Sequence, residues 1–204
     1  SYHYWSYSVG ANYRLRNDLA LFGRYSRGGR ANADRFVFSG NTNSASGALL
    51  PGARPVDFVT QAEAGVKYLA HGVGLYGTAF HARTGEQNYE ATTQTSFANT
   101  YRAYGVELAG SYRTGGFNLT ANGTWTHARI VKSRTQANIG HRPRRQAAFI
   151  YRVNPSYKAG MFAVGTSVIG TTSSYTQDSN QLKLPAFTQV NAFASIKPIP
   201  RLQI

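Results

Sequence analysis

The stretch Phe117–Arg129, FNLTANGTWTHAR, decides the fold. Phe117, Leu119, Ala121, Gly123 and Trp125 fall on one side of an extended chain, and Asn118, Thr120, Asn122, Thr124 and Thr126 on the other. A period of two is the signature of a β-strand, whose successive side chains point to opposite faces. The polar set is amide and hydroxyl without charge. A sheet of a water-soluble protein carries charges on its solvent face, whereas the inner wall of a water-filled barrel is polar in this milder way.

Outward from this segment the pattern recurs. Thr114, Gly115 and Gly116 form a tight turn to a strand at about 99–113, with Tyr104, Val106, Leu108 and Tyr112 against Ala103, Gly105, Glu107 and Ser111. Further strands are expected at about 5–15, 19–26, 58–69, 73–82, 143–153, 161–171 and 185–196, with the start of a tenth near Ile204. The connections alternate in length. Short turns at 16–18, 70–72, 114–116 and 154–160 alternate with longer segments at 27–57, 83–98, 130–142 and 172–184. An up-and-down meander with turns at one end and loops at the other is the plan of outer-membrane barrels, whose strands need about 9–11 residues to cross.

Composition excludes other classes. The 204 residues hold no Cys, so there is no disulfide framework, Cys-ligated metal or thiol nucleophile. No apolar run approaches the ~18 residues of a helical span. Lys and Arg number 22 against 8 Asp and Glu, a net charge of +14. In a soluble protein such a balance invites a nucleic-acid reading, yet no helix-turn-helix, zinc finger or alternating basic and aromatic strand is present. His3, His71, His81, His127 and His141 are scattered, with no metal spacing. No catalytic constellation stands out, and no enzyme activity or cofactor is expected.

Five segments, YSVGANYRLRNDLALFGRYSRGGR (Tyr7–Arg30), QAEAGVKY (Gln61–Tyr68), YGVELAGSYRTGGFNLTANGTWTHARI (Tyr104–Ile130), HRPRRQAAFIYRV (His141–Val153) and LPAFTQVNAFASIKP (Leu184–Pro198), carry a resemblance. In order and spacing the chain resembles the C-terminal part of the barrel of TonB-dependent outer-membrane receptors. The resemblance implies an all-β, transmembrane antiparallel barrel of about 22 strands, of which residues 1–204 form a partial wall of about nine or ten. The first strand would be about the twelfth of the barrel and the ninth about the twentieth. A plug domain and the final strands would lie outside this chain. The implied function is energy-coupled uptake of a large, scarce solute such as a ferric siderophore, in the bacterial outer membrane. The implied partners are outer-membrane lipid and lipopolysaccharide, the plug, a TonB-type coupling complex reached through an N-terminal region, and the imported solute. Two other readings compete: a small passive pore or adhesin barrel, and a soluble basic β domain that binds nucleic acid.

Candidate site residues divide in two. Asp34, Arg35, Arg54 and Asp57 in the longest connection and Arg83 in the next are the expected ligand-contacting loop residues, since loops on a rigid scaffold select ligands. An arginine-rich rim would draw an anionic chelate. Glu63 and Lys67 on the polar face of the third strand, with Arg102 and Glu107 of the fifth, are the expected lumen-wall charges. The basic run His141, Arg142, Pro143, Arg144 and Arg145, with Arg129, Lys132 and Arg134, is the densest basic patch; it invites a phosphate-backbone reading in a soluble protein, and within the barrel reading it lies where a long loop returns to the membrane, so anionic lipid headgroups are an equally physical partner.

Overall fold

The computed structural model describes residues 3–31, 43, 45–48, 56–90 and 95–197. The strands are β1 (Tyr7–Arg16), β2 (Leu19–Ala31), β3 (Val56–Ala70), β4 (Val73–Glu90), β5 (Thr95–Thr114), β6 (Phe117–Lys132), β7 (Phe149–Ala159), β8 (Phe162–Thr171), β9 (Ser174–Tyr175), β10 (Lys183–Leu184) and β11 (Phe187–Ile196). A 3-10 turn, Gln136–Asn138, lies between β6 and β7. One nine-stranded sheet runs in the order β1-β2-β3-β4-β5-β6-β7-β8-β11, and β9 and β10 form a separate two-stranded ribbon. Every neighbouring pair is antiparallel.

The sheet is one layer thick. Substantial contacts join only neighbouring strands, and among the described residues the buried hydrophobic side chains are Val56, Ala128, Ile130 and Ala147 alone. Val9, Tyr13, Leu75, Leu108, Phe162 and Val190 stand exposed on the apolar face. A soluble sandwich would bury that face against a second layer, and none of the described elements supplies one.

Four tight turns set the stagger. In the turn His71–Gly72 both residues have left-handed backbone, φ +50° and +77°, which is the geometry of a two-residue hairpin that matches strand twist. The carbonyl of each turn then accepts a hydrogen bond from the strand after the hairpin: Asp18 from Leu69 N–H, Gly72 from Arg113 N–H, Gly116 from Lys158 N–H, and Met161 from Lys197 N–H, all at 2.8–2.9 Å. Leu19 pairs with Tyr68, two residues short of the next turn. Val73 pairs with Tyr112 and Phe117 with Tyr157, again two residues short. Two residues per hairpin is one per strand. With strands ~4.8 Å apart and a rise of ~3.3 Å per residue, that offset corresponds to a tilt of roughly 35°, within the range of barrel walls.

Large apolar rings on the polar face have a local cause. Phe22 lies over Gly65, Phe80 over Gly105 and Phe193 over Gly165, each pair directly opposite in register, and a Cβ on each glycine would fall 2.6 Å from the ring. The aromatic covers the bare backbone of its neighbour.

Several boundaries differ from the sequence expectation, among them the end of β2, which runs on to Ala31. The expected loop 83–98 is mostly strand, because β4 and β5 pair from Arg83↔Arg102 out to Glu90↔Thr95. That extension is polar and lacks a greasy face, so the period of two carries no hydropathy signal. Arg83, expected in that loop, is therefore a strand residue, and Asp57, expected in the loop before it, already belongs to β3. The seventh strand occupies 149–159 instead of 143–153, since Pro155 sits inside β7, paired with Leu119, while pairing with β8 lapses at Asn154 and Pro155. A proline without an N–H is tolerated at such a lapse.

Close backbone approach makes Gly105 a sensitive position: an added Cβ would run into the Trp125 carbonyl oxygen as well as the Phe80 ring. Gly105→Ala is expected to destabilise the full-length protein by about 1–3 kcal/mol, lowering the denaturant midpoint of its heat-modifiable gel band. Gly28→Ala, where a Cβ meets nothing within 4 Å, is expected to stay within about 0.5 kcal/mol of wild type.

Candidate functional site

The polar face carries the carboxylates Asp57, Glu63, Glu86 and Glu107. Arg24 Nε donates to Glu63 Oε2 at 2.7 Å across the β2–β3 pair, and Gln61 Nε2 donates a short hydrogen bond to the other oxygen of Glu63. Lys67 Nζ lies 4.7 Å from the centre of the Phe22 ring and 3.5 Å from Asn12 Oδ1. Glu107 shares its register row with Thr78 and Thr124. Glu63, Lys67 and Glu107 thus occupy the same face. Arg102 does not. It pairs with Arg83 and Arg129, in the parity of Tyr104 and Trp125, and so stands on the apolar face. Near a rim such a charge costs little, so the expectation that it must face water fails.

Where β2, β3 and β4 leave the apolar band, a pocket of about 380 Å³ opens among Gly28, Arg30, Asp57, Val59, Thr84 and Glu86. All six take the polar parity. Asp57 is buried and accepts the Gln87 backbone N–H at 2.8 Å, so part of its hydrogen-bonding capacity holds β3 against β4. Arg30 sits directly opposite Asp57 in register. With guanidinium, carboxylate and hydroxyl groups present, the pocket can hydrogen-bond a polar solute.

A second cluster joins the 133–148 connection to the β9–β10 ribbon. Asp178 Oδ1 accepts the Arg144 N–H at 2.9 Å, Asp178 Oδ2 accepts from Asn99 Nδ2 at 3.2 Å, and His141 Nδ1 lies 3.1 Å from the Asp178 carbonyl. Asn180 closes a reciprocal pair with Arg142, accepting its N–H at 3.0 Å and donating to its carbonyl at 2.8 Å. Arg142 Nη1 also donates to the Ser173 carbonyl at 3.4 Å. The basic run is therefore tied down by backbone bonds to two short polar side chains. Sequence reading missed Asp178, Asn180 and Asn99. The available signal was the turn-forming string Gln177–Asn180, which reads as an ordinary loop.

Of the expected ligand residues, Asp34, Arg35 and Arg54 lie outside the described residues. Asp57 lines the pocket, and Arg83 stands on the other face of the sheet. Among the described residues no group of His, Asp and Glu has the geometry of a metal site.

The family model described as TonB dependent receptor-like, beta-barrel, matches residues 1–204. The chain belongs to that family. This wall is accordingly an outer-membrane wall. Among solved structures, the chain is similar to the ferric yersiniabactin uptake receptor FyuA from Yersinia pestis, with 17% identity over 96% of this chain and 30% of that one, TM-score 0.73. It is also similar to the siderophore receptor PiuA from Acinetobacter baumannii, with 14% identity over 97% of this chain and 30% of that one, TM-score 0.77. The copper transporter OprC shares 13% identity over 97% of this chain and 31% of its own, TM-score 0.76. The chain thus spans about 30% of the length of these receptors. No curated protein gives a significant match. At these identities the likeness is one of fold.

Asp178 is expected to govern access to the basic run. In the full-length receptor, Asp178→Ala is expected to speed trypsin cleavage after Arg144 and Arg145 several-fold, read by mass spectrometry of the fragments, with Asn191→Ala as a control that leaves the rate unchanged.

Proposed function

We propose that this chain is a wall segment of a closed barrel of about 22 strands that imports a large, scarce solute with energy drawn from the inner membrane. The observation that carries the reading is the single-layer sheet with an uncovered apolar face, a polar opposite face and a constant stagger. In lipid every backbone group must be paired, so an open nine-stranded sheet needs further strands to close it. A lumen of this size is wide enough to need a plug. The apolar face meets acyl chains, and the polar face, with Glu63, Lys67 and Glu107, meets water and that plug.

For the solute, we favour an anionic metal chelate. FyuA and PiuA are named for ferric yersiniabactin and siderophore uptake, and FecA for ferric citrate. The charge balance of this chain, +14, suits an anion. Asp34, Arg35 and Arg54 are proposed as loop contacts to it, and Arg30 and Asp57 as the polar pocket beneath. The coupling complex and the plug are partners of the full-length receptor under this reading.

In cells lacking other uptake routes, the full-length receptor is expected to restore growth on a ferric chelate, and to lose that capacity when the energy-coupling complex is deleted. Arg35→Ala with Arg54→Ala is expected to weaken chelate binding roughly tenfold, the loss of about one charge-assisted hydrogen bond. Growth that persists without the coupling complex contradicts energy coupling, and unchanged affinity for every chelate removes the two arginines from the site.

A further inference from the structure

At the turn end of the sheet the polar face carries one sign of charge. β1, β3, β5 and β7 each bring a basic residue to that face within their last four residues, Arg14, Lys67, Arg113 and Lys158, and Lys197 follows β11 directly. Register places them there: Arg14 and Lys67 both pair with Ala20, Arg113 with Asn118 and Lys158 with Ala163, all in rows of the polar face. Lys197 keeps the parity of Asn191, Phe193 and Ser195. The strands that run the other way, β2, β4, β6 and β8, open with LALF, VGLY, FNLT and FAVG, without a charge. Every strand that runs toward the turns thus ends in a cation on the same face.

Backbone bonding fixes three of these cations at one place in the repeat, since the N–H groups of Arg113, Lys158 and Lys197 donate to the carbonyls of Gly72, Gly116 and Met161. Alternate strands lie about 10 Å apart, close to the screening length of about 8 Å in physiological salt, so the fields of successive cations overlap. All five residues are exposed. The carboxylate at this end among the described residues is Asp18, and Arg16 holds it at 3.2 Å. The ion pairs among the described residues, Arg16–Asp18 and Arg24–Glu63, involve none of the five. Lys67 has neutral neighbours, the Phe22 ring and Asn12 Oδ1.

Farther from the turns the same face is of mixed sign. Arg24 is paired with Glu63, Glu107 and Arg152 stand at a middle level, and Asp57 and Glu86 join Arg30 around the pocket at the other end. An anion that moves from that pocket toward the turns passes from a wall of both signs to a wall of one. A passage lined by one sign focuses the field and raises the local concentration of the opposite ion. Because the charge is divided among separate, water-exposed side chains, an anion is attracted at several weak sites and trapped at none, as conduction requires.

We propose that Arg14, Lys67, Arg113, Lys158 and Lys197 form a cationic exit collar that concentrates the anionic solute at the turn end of the lumen, which in such barrels is the periplasmic end. This assignment rests on the reading of the polar face as a lumen wall and adds to it the residues that receive the anion as it leaves. A collar with that task stays open to small ions in water. A collar that merely anchors the plug is covered by it.

The test places a thiol beside the collar, Ser111→Cys on the polar face of β5, in the full-length receptor reconstituted in bilayers. The probes are an anionic and a cationic methanethiosulfonate, the ethylsulfonate and the ethyltrimethylammonium, with modification of the peptide that holds residue 111 followed by mass spectrometry. Each rate is divided by that of the same reagent with a free small thiol. The anionic reagent is expected to be favoured on the order of tenfold, and the preference to collapse in about 1 M salt. Adding Arg113→Gln and Lys158→Gln together is expected to bring the ratio close to one, each alone to lower it part-way, and Arg113→Lys with Lys158→Arg to preserve it. Leu108→Cys, on the apolar face, is expected to react with neither reagent. A ratio near one in Ser111→Cys alone, a ratio that the neutral substitutions leave unchanged, or a residue 111 closed to both reagents overturns the collar, while an unreactive Leu108→Cys leaves the lumen wall standing. A Leu108→Cys as reactive as Ser111→Cys overturns the lumen-wall reading and the collar with it.

Discussion

Val9, Tyr13, Leu21, Leu75, Leu108 and Phe162 stand on one side of a sheet that is a single layer thick, and no other described part of the chain covers them. In water this arrangement is untenable. Leaving a Leu or Phe side chain exposed forfeits roughly 1.5–3 kcal/mol, so six such residues forfeit as much as the whole net stability of an ordinary domain, about 5–15 kcal/mol. In a bilayer the same residues need no second layer, because acyl chains cover them. Backbone polar groups then become the constraint, and a ladder of antiparallel strands closed upon itself satisfies all of them.

Stagger links this constraint to shape. Four turns, each bonded through its carbonyl to the strand after the hairpin, advance the ladder by two residues per hairpin. The resulting tilt of roughly 35° lengthens the path of each strand through the bilayer and fixes how the sheet must curve to close. Because the offset is the same at the β2–β3, β4–β5 and β6–β7 junctions, the segment has the geometry of a regular wall. The glycines that permit close approach, and the rings of Phe22, Phe80 and Phe193 laid over three of them, keep that wall smooth on its wet side.

Legibility in the sequence followed hydropathy. In β6, where Leu119, Ala121 and Trp125 alternate with Thr120, Asn122 and Thr124, the strand, its facing and its turn could all be read directly. In the outer half of β4 and β5 both faces are polar, so alternation survives in the backbone and vanishes from the composition; a strand pair was read as a loop. Pro155 misled in the opposite way, since a residue that breaks most strands sits here at a lapse in pairing. Arg102 shares its parity with Tyr104 and was assignable to the apolar face by counting alone, although it is expected above on the lumen wall with Glu107. The Asp178 and Asn180 contacts were out of reach, because they join residues 34 to 79 positions apart through loops whose composition is ordinary.

Charge is sorted by face as strictly as hydropathy is. Carboxylates and their partners occupy the polar side, while the apolar side gives way to aromatic rings and then to arginine only at its rim. Everything else follows from which side meets lipid, and since these 204 residues hold no cysteine, a single cysteine placed in this wall has no native competitor within it. Spin labels introduced one at a time along β6, through Ala121→Cys, Asn122→Cys, Gly123→Cys and Thr124→Cys in the full-length receptor reconstituted in bilayers, report accessibility to oxygen and to a water-soluble nickel chelate. A lipid-facing apolar side predicts strict alternation, with labels at 121 and 123 favouring oxygen and those at 122 and 124 favouring the chelate. Labels at 121 and 123 shielded from both quenchers, as inside a packed protein core, would contradict it.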